Sequence, residues 1–223
     1  MASQELINVS FHGVGSPPLP AREPGEHDYW VDHDAFLAVL DEVGGHDDVC
    51  LSFDDGNASD VDLALPALVE RGLTADFFVV AGRLGTPGNI DADGVRALRD
   101  AGMTVGTHGM DHRSWRGLDE RALELELVEA REVIAEAAGA PVDAAALPLG
   151  QYDRRVLAAL RRLGYTTVYS SDARRAQAGD WFQARYSVRA EDTPGTVRAQ
   201  MLAPPRPAER LRGRLAALAK RWR

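Results

Sequence analysis

Apolar positions along the chain fall into two alternating kinds of run. Leu6–Phe11, Val49–Phe53, Ala75–Val80, Met103–Thr107 and Thr166–Ser170 are short runs rich in β-branched and aromatic residues, which predicts strands. Phe182–Val188 reads as one more. Between them, apolar residues recur at helical spacing over Asp34–Val43, Ser59–Arg71, Asp91–Ala101, Asp119–Ala138 and Asp153–Leu163. Several of these segments open on an Asp or Ser suited to an N-cap, and Gly72, Gly102, Gly139 and Gly164 follow their ends. Strand–helix alternation implies parallel strands joined by crossover helices. No GxGxxG or Walker sequence is present, so a nucleotide-binding fold gains no support. A barrel with its site at the C-terminal ends of the strands fits better. Gly13–Glu26, rich in Pro and Gly, is expected to be a loop over one end of it.

Two of the predicted strands end on chemistry. The run Ser52-Phe53-Asp54-Asp55-Gly56 delivers adjacent carboxylates at a strand end, followed by a glycine that permits a sharp turn. Adjacent residues diverge there, so one acid can bind a metal while the other faces a water as base. A surface Asp-Asp-Gly turn has the same sequence. His108-Gly109-Met110-Asp111-His112 directly follows another strand, and its spacing of four suits two ligands of one cation. Both motifs should emerge on the same face of the barrel. Asp55, His108 and His112 then form a two-nitrogen, one-oxygen set with positions left open, as in catalytic zinc sites. Iron, manganese, cobalt or nickel could use the same set.

Ser52–Gly56 and His108–His112 resemble the first two motifs of the polysaccharide deacetylases, the NodB-homology or carbohydrate esterase family four domain. The resemblance runs from about Leu6 to Val188 and implies an irregular α/β (β/α)7 barrel. It also implies metal-dependent removal of an acetyl group from an N- or O-acetylated sugar, oligosaccharide or glycolipid precursor. By that resemblance Asp55, His108 and His112 bind one divalent ion, zinc foremost, and Asp54 is the general base. Leu147-Pro148-Leu149-Gly150 resembles the third motif, whose backbone supplies an oxyanion donor; the Leu149 N–H is the candidate.

The chain departs from the family pattern in two places. The arginine that opens the third motif is replaced by Ala146, and Leu149 stands where an aromatic residue is usual, with Tyr152 close behind. Arg185, on the predicted strand Phe182–Val188, is the candidate to supply the guanidinium from another direction. The histidine of the last motif is missing, since none follows His112. His12, at the end of the first strand, is the candidate substitute. Asp172 resembles the fourth motif, with Asp180-Trp181 a competing match. His12, Leu149, Tyr152, Asp172 and Arg185 are therefore the expected substrate-side residues. The departures keep two alternatives open: a metal-dependent amide or imide hydrolase acting on a non-sugar substrate, and a non-catalytic carbohydrate-binding protein.

Composition narrows the partners. A net charge of −9 on 223 residues argues against broad nucleic-acid binding, which needs a basic face. The lone cysteine, Cys50, excludes an internal disulfide and a thiolate metal cluster, and its apolar neighbours Val49 and Leu51 suggest a buried thiol. MASQELINVSFHG has neither a basic start nor a long apolar core, so a cytoplasmic location is expected. Residues 1–203 read as the catalytic domain and 204–223 as a basic helical tail. That tail places Leu211, Leu215, Leu218 and Trp222 on one face. Either this face docks on the barrel, or the helix makes a peripheral contact with anionic lipid at the inner membrane face.

Overall fold

The structure, a computed structural model, describes residues 4–221. Its strands are β1 (Glu5–Phe11), β2 (Gly13–Val14), β3 (Trp30–Val31), β4 (Val49–Asp55), β5 (Ala75–Val79), β6 (Thr104–Thr107), β7 (Ala144–Ala146), β8 (Thr167–Ser170), β9 (Ala176–Gln177) and β10 (Phe182–Ser187). Seven of them form one parallel sheet in the order β10-β8-β7-β6-β5-β4-β1, and β1 pairs back onto β10 to close a barrel. β9 adds a short antiparallel edge to β1, and β2 pairs with β3. The helices are α1 (His33–Val43), α2 (Leu65–Glu70), α3 (Ala92–Asp100), α4 (Glu120–Glu124), α5 (Ala130–Ala138), α6 (Arg154–Arg162), α7 (Pro194–Val197) and α8 (Pro207–Arg221). Asp91, Asp119 and Asp153 cap α3, α4 and α6 by accepting backbone N–H bonds.

Side-chain alternation along the strands separates two environments. Ile7, Val9 and Phe11 of β1, Phe53 of β4 and Phe77 of β5 face outward and pack with Phe36, Val39 and Leu40 of α1 in the main core. Phe53 is central: its ring stacks 5.3 Å from Phe11 and 4.8 Å from Phe77, with Phe36 edge-on at 6.0 Å. The inward set is polar. Asn8 donates to the Gln183 side chain (3.1 Å) and the Ala184 carbonyl (3.0 Å), and Ser10 meets Ser187 at 3.1 Å. Ser52, Asp54 and Arg185 continue this interior, all buried. Such a polar lining is tolerated only where its groups find partners, so it fixes strand register as well as chemistry.

The structure departs from the sequence expectations at several points. β7 is a strand of three alanines, a residue with little strand preference, and only its partners β6 and β8 hold it extended. Cys50 is exposed rather than buried. It sits near the start of β4 on the inward face with Ser52 and Asp54, where the barrel end opens to water. The segment expected as one helix over Asp119–Ala138 contains a π-helical turn, Leu125–Glu129, and a second such turn, Asp60–Ala64, precedes α2. The expected loop Gly13–Glu26 begins with β2. In the tail, Leu211, Leu215 and Leu218 are 59%, 57% and 54% exposed, so this face is not docked on the barrel; Trp222 lies outside the described residues. The helix is held from its other side, where Lys220 pairs with Asp172 at 2.6 Å.

Truncating the central ring tests this packing. Phe53→Ala is expected to cost about 3–5 kcal/mol in urea unfolding. A loss below about 1 kcal/mol would show that the aromatic stack is not the tightly packed centre described here.

Candidate metal and catalytic site

Asp54 and Asp55 end β4, and the change of direction between them is visible in the backbone. Asp54 follows the strand alternation into the barrel. Asp55 takes a positive φ of 79°, which turns its carboxylate toward the histidine loop. Four described non-glycine residues adopt positive φ, and three of them, Asp55, His112 (51°) and Leu149 (57°), line one cavity. Such conformations cost energy in ordinary residues and gather where a site imposes them. The cavity measures about 290 Å³ and opens at the C-terminal ends of the strands, with His12, Tyr29, Trp30 and Ser171 also in its wall.

His108 follows β6, and His112 closes the loop after it. The Nδ1 of His108 lies 2.9 Å from the Ala146 carbonyl, which can only accept, so this nitrogen carries the proton. The Nδ1 of His112 likewise donates to the Glu23 carboxylate at 2.7 Å. Both Nε2 lone pairs are left facing Asp55, with Oδ1 3.8 Å from His108 and 3.3 Å from His112. That oxygen is buried and, among the described residues, has no hydrogen-bond partner. The three ligand atoms all lie within 4.8 Å of one another. Ligands at about 2.1 Å from a tetrahedral cation stand roughly 3.4 Å apart, so the set fits a divalent ion. The orphaned carboxylate oxygen between two free imidazole nitrogens is what such an ion would satisfy.

Burial and charge set the protonation states. Burial pushes His108 down to about 4, leaving a neutral ring able to act as a ligand at neutral pH. Burial also opposes a charge on His112, but Glu23 and Asp55 outweigh it and hold its pKa above the ordinary value. For Asp54, burial favours the neutral acid. The Arg185 guanidinium overcomes this, with help from His108 and His12, and holds the carboxyl well below its usual range. Arg185 is itself fully buried and grips Asp54 bidentately, at 2.7 and 2.6 Å, while also donating to Ser52 at 3.0 Å. The rings of Phe78 and Tyr169 lie 5.3 and 5.6 Å from its guanidinium carbon. Arg185 thus stands where Ala146 leaves a gap, reaching Asp54 from β10 across the barrel.

A set of residues with no motif of their own supports these groups. Glu23 comes from the Pro/Gly-rich segment; Arg83 pairs with it, and Arg22 beside it bonds Asn57 and Asn89 at 2.6 and 2.7 Å. Glu126, fully buried in the π-helical turn, accepts from the Met110 N–H at 2.7 Å and the Trp115 indole at 3.2 Å. It meets Arg113 at 3.0 Å as well. Gly109 is required there, since a Cβ would lie 2.4 Å from Glu126 Oε2. Sequence spacing could not have found Glu23, which is 89 positions from the histidine it holds. Glu126 had one signal, a carboxylate among apolar residues in the predicted helix Asp119–Ala138.

The expected substrate-side residues divide. His12 lines the cavity with Nε2 3.9 Å from Asp54 Oδ2 and its ring 4.7 Å from that of Tyr29. Leu149 also lines it and is 56% exposed. Tyr152 and Asp172 do not line it. Tyr152 is buried in the second core cluster, and its hydroxyl donates to Asp172 at 2.7 Å, while Asp172 also binds Lys220. Their polar groups are spent on each other behind the cavity wall. The competing Trp181 lies elsewhere, donating to the Tyr165 carbonyl at 2.7 Å.

The match to known proteins agrees with this geometry. The polysaccharide deacetylase family model matches residues 41–168, more than half of the chain, and the chain belongs to that family. A Bacillus subtilis (strain 168) protein, YxkH, which carries a provisional polysaccharide deacetylase name, is 20% identical over 199 residues, covering 83% of this chain and 71% of its own. Among solved structures, the Streptococcus pyogenes deacetylase PplD in complex with acetate superposes with a TM-score of 0.79 at 18% identity, covering 91% of this chain and all of that one. IcaB from Ammonifex degensii gives 0.74 at 21% identity, covering 89% of this chain and 97% of that one. At these identities the structural likeness shows the fold, an α/β barrel of seven parallel strands.

If the Glu23 carboxylate orients His112 as a ligand, Glu23→Ala is expected to weaken zinc or cobalt binding by about 10–100-fold in chelator competition. The double variant His108→Ala/His112→Ala should lose the ion. Unchanged affinity in Glu23→Ala would remove its orienting role.

Proposed function

We propose that this protein is a divalent-metal-dependent deacetylase acting on an N-acetylated saccharide, with an O-acetyl group or a lipid-carried sugar within the same chemistry. The observation that carries this is the pairing of two arrangements at one cavity. Asp55 Oδ1, orphaned, faces two free imidazole nitrogens, and beside it Asp54 is kept ionised by Arg185.

Asp55, His108 and His112 would hold the ion, which when bound supplies Lewis acidity to an acetyl carbonyl and acidifies a water. Asp54 accepts the proton from the attacking water. Its bidentate partner holds both carboxylate oxygens in place and keeps them unprotonated until a proton arrives from that water. The Leu149 N–H, on a residue at positive φ in the cavity wall, is the donor for the oxyanion. His12 is assigned as the acid that protonates the departing amine. Its Nε2 lies 3.9 Å from Asp54 Oδ2, and its Nδ1 is buried without a partner among the described residues. Tyr29 and Trp30 offer aromatic faces on which a sugar ring can stack, and about 290 Å³ takes roughly one sugar residue with its acetyl group.

Acetate release from N-acetylated chito-oligosaccharides by the metal-loaded protein tests the assignment. Asp54→Asn is expected to lower kcat by about 10²–10⁴-fold while the metal content stays near that of the parent. His12→Asn should lower kcat far more than it changes KM. Sugar binding that is tight in the parent and accompanied by no acetate release would replace the enzyme with a carbohydrate-binding protein. Acetate release from simple amides but not from sugars would move the substrate outside saccharides.

A further inference from the structure

The proposed chemistry leaves α8 without a task. This helix of 15 residues is attached at its C-terminal end, where Lys220 Nζ binds Asp172 at 2.6 Å and reaches the Gly150 carbonyl at 3.4 Å. Gly213 faces the barrel beside Arg174. Away from the barrel, Leu211, Leu215 and Leu218 form an i, i+4, i+7 stripe, each more than half exposed, with Ala208, Arg212, Ala216 and Ala219 exposed around it. A helix of a water-soluble domain ordinarily buries such a stripe. Charge identifies what covers it. Residues 204–223 carry seven Arg or Lys against Glu209 alone, a balance of +6, whereas the whole chain carries −9 and the preceding residues therefore −15.

We propose that α8 is an interfacial anchor, lying flat on an anionic lipid bilayer with its leucine stripe at the acyl boundary and the exposed Arg212 beside that stripe among the headgroups, the cationic surplus of the segment drawing it to the anionic surface. A leucine stripe and a cationic surplus in one short segment are the two components of such binding. Among the described residues no helix is long and apolar enough to cross a membrane, so the helix lies on the surface rather than through it.

Its position gives the contact a purpose. The Lys220 attachment fixes the end of α8 to Gly150, the neighbour of Leu149, and Leu149 is an exposed apolar residue in the cavity wall. Leu19, 85% exposed, belongs to the loop that goes on to supply Glu23 and Gly25 to the same wall. A bilayer that holds α8 therefore holds a helix whose end is fixed next to the cavity wall. Taken with the deacetylase reading, on which only this step rests, the substrate is a saccharide presented at a lipid surface.

The anchor is tested without catalysis, by co-sedimenting the full chain with vesicles rich in phosphatidylglycerol and with phosphatidylcholine vesicles. Binding is expected to the anionic vesicles, and to fall steeply with added salt. The variant Leu211→Glu/Leu215→Glu/Leu218→Glu is expected to bind about tenfold more weakly or less. Its helical circular dichroism and its acetate release from a soluble oligosaccharide should match the parent. The salt dependence of the unaltered chain gives a separate readout should the variant fold poorly. Equal binding to neutral vesicles, binding that survives the three substitutions, or no binding to anionic vesicles would each overturn the anchor. In the last case, a dimer in sedimentation velocity that the substitutions abolish would assign the stripe to a second copy of the chain. Loss of acetate release with vesicle binding intact would fault the deacetylase assignment alone.

Discussion

The buried pair of Arg185 and Asp54 is the interaction on which the rest of this barrel turns. A carboxylate taken out of water at a strand end is costly unless a cation and further donors meet it. Here the cation comes from a strand that follows Asp54 by 131 residues, and it can arrive only because β1 lies between β4 and β10 and closes the cylinder. Ser52 belongs to the same solution, because its hydroxyl, two positions before Asp54 on the inward face of β4, accepts a further bond from the arginine at 3.0 Å. Barrel closure, strand register and the state of the proposed base are thus parts of one electrostatic arrangement. Replacing Arg185 would remove more than a contact, because it would strand a charge in the interior.

Around that pair, the site is built by backbone conformations that ordinary sequences avoid. Asp55, His112 and Leu149 each hold positive φ, and each would point elsewhere in a relaxed strand or turn. Hydrogen bonds hold His112 in this state: Glu126 fixes the loop before it, and Glu23 fixes the ring itself. The π-helical turn that carries Glu126 has the same character, an irregularity placed where a long helix passes the ligand loop.

Much of this was legible in the chain. The strand and helix pattern gave the parallel α/β barrel, and two short motifs at strand ends gave the acids and histidines, because those residues act through neighbours within a few positions. Arg185 could be named as a candidate from the gap at Ala146, although its distance from Asp54 could not be read. What stayed hidden acts across the fold. Glu23 lies in a segment that composition marks only as a loop, and the Ala144–Ala146 strand has no side-chain signal at all. Cys50 is exposed, against the sequence expectation, for a related reason. Val49-Cys50-Leu51 looks uniformly apolar, but the inner face of this barrel is polar and its end is open, so alternate residues of one run meet different surroundings. Tyr152 and Asp172 lie close in sequence to Leu149 and Ser171 of the cavity wall, yet turn away from it toward each other.

The Glu23–His112 bond joins two things usually treated apart, the covering loop and the ligand set. One carboxylate faces the imidazole on one side and belongs to the Pro/Gly-rich segment on the other; Arg83 pairs with that carboxylate, and Arg22 ties the segment to Asn57 and Asn89. If the three proposed ligands hold an ion, the placement of that segment and the binding of the ion are coupled through this bond. By reciprocity, a molecule that presses the loop into place tightens the hold on an ion by the same factor that the ion tightens the hold on the molecule.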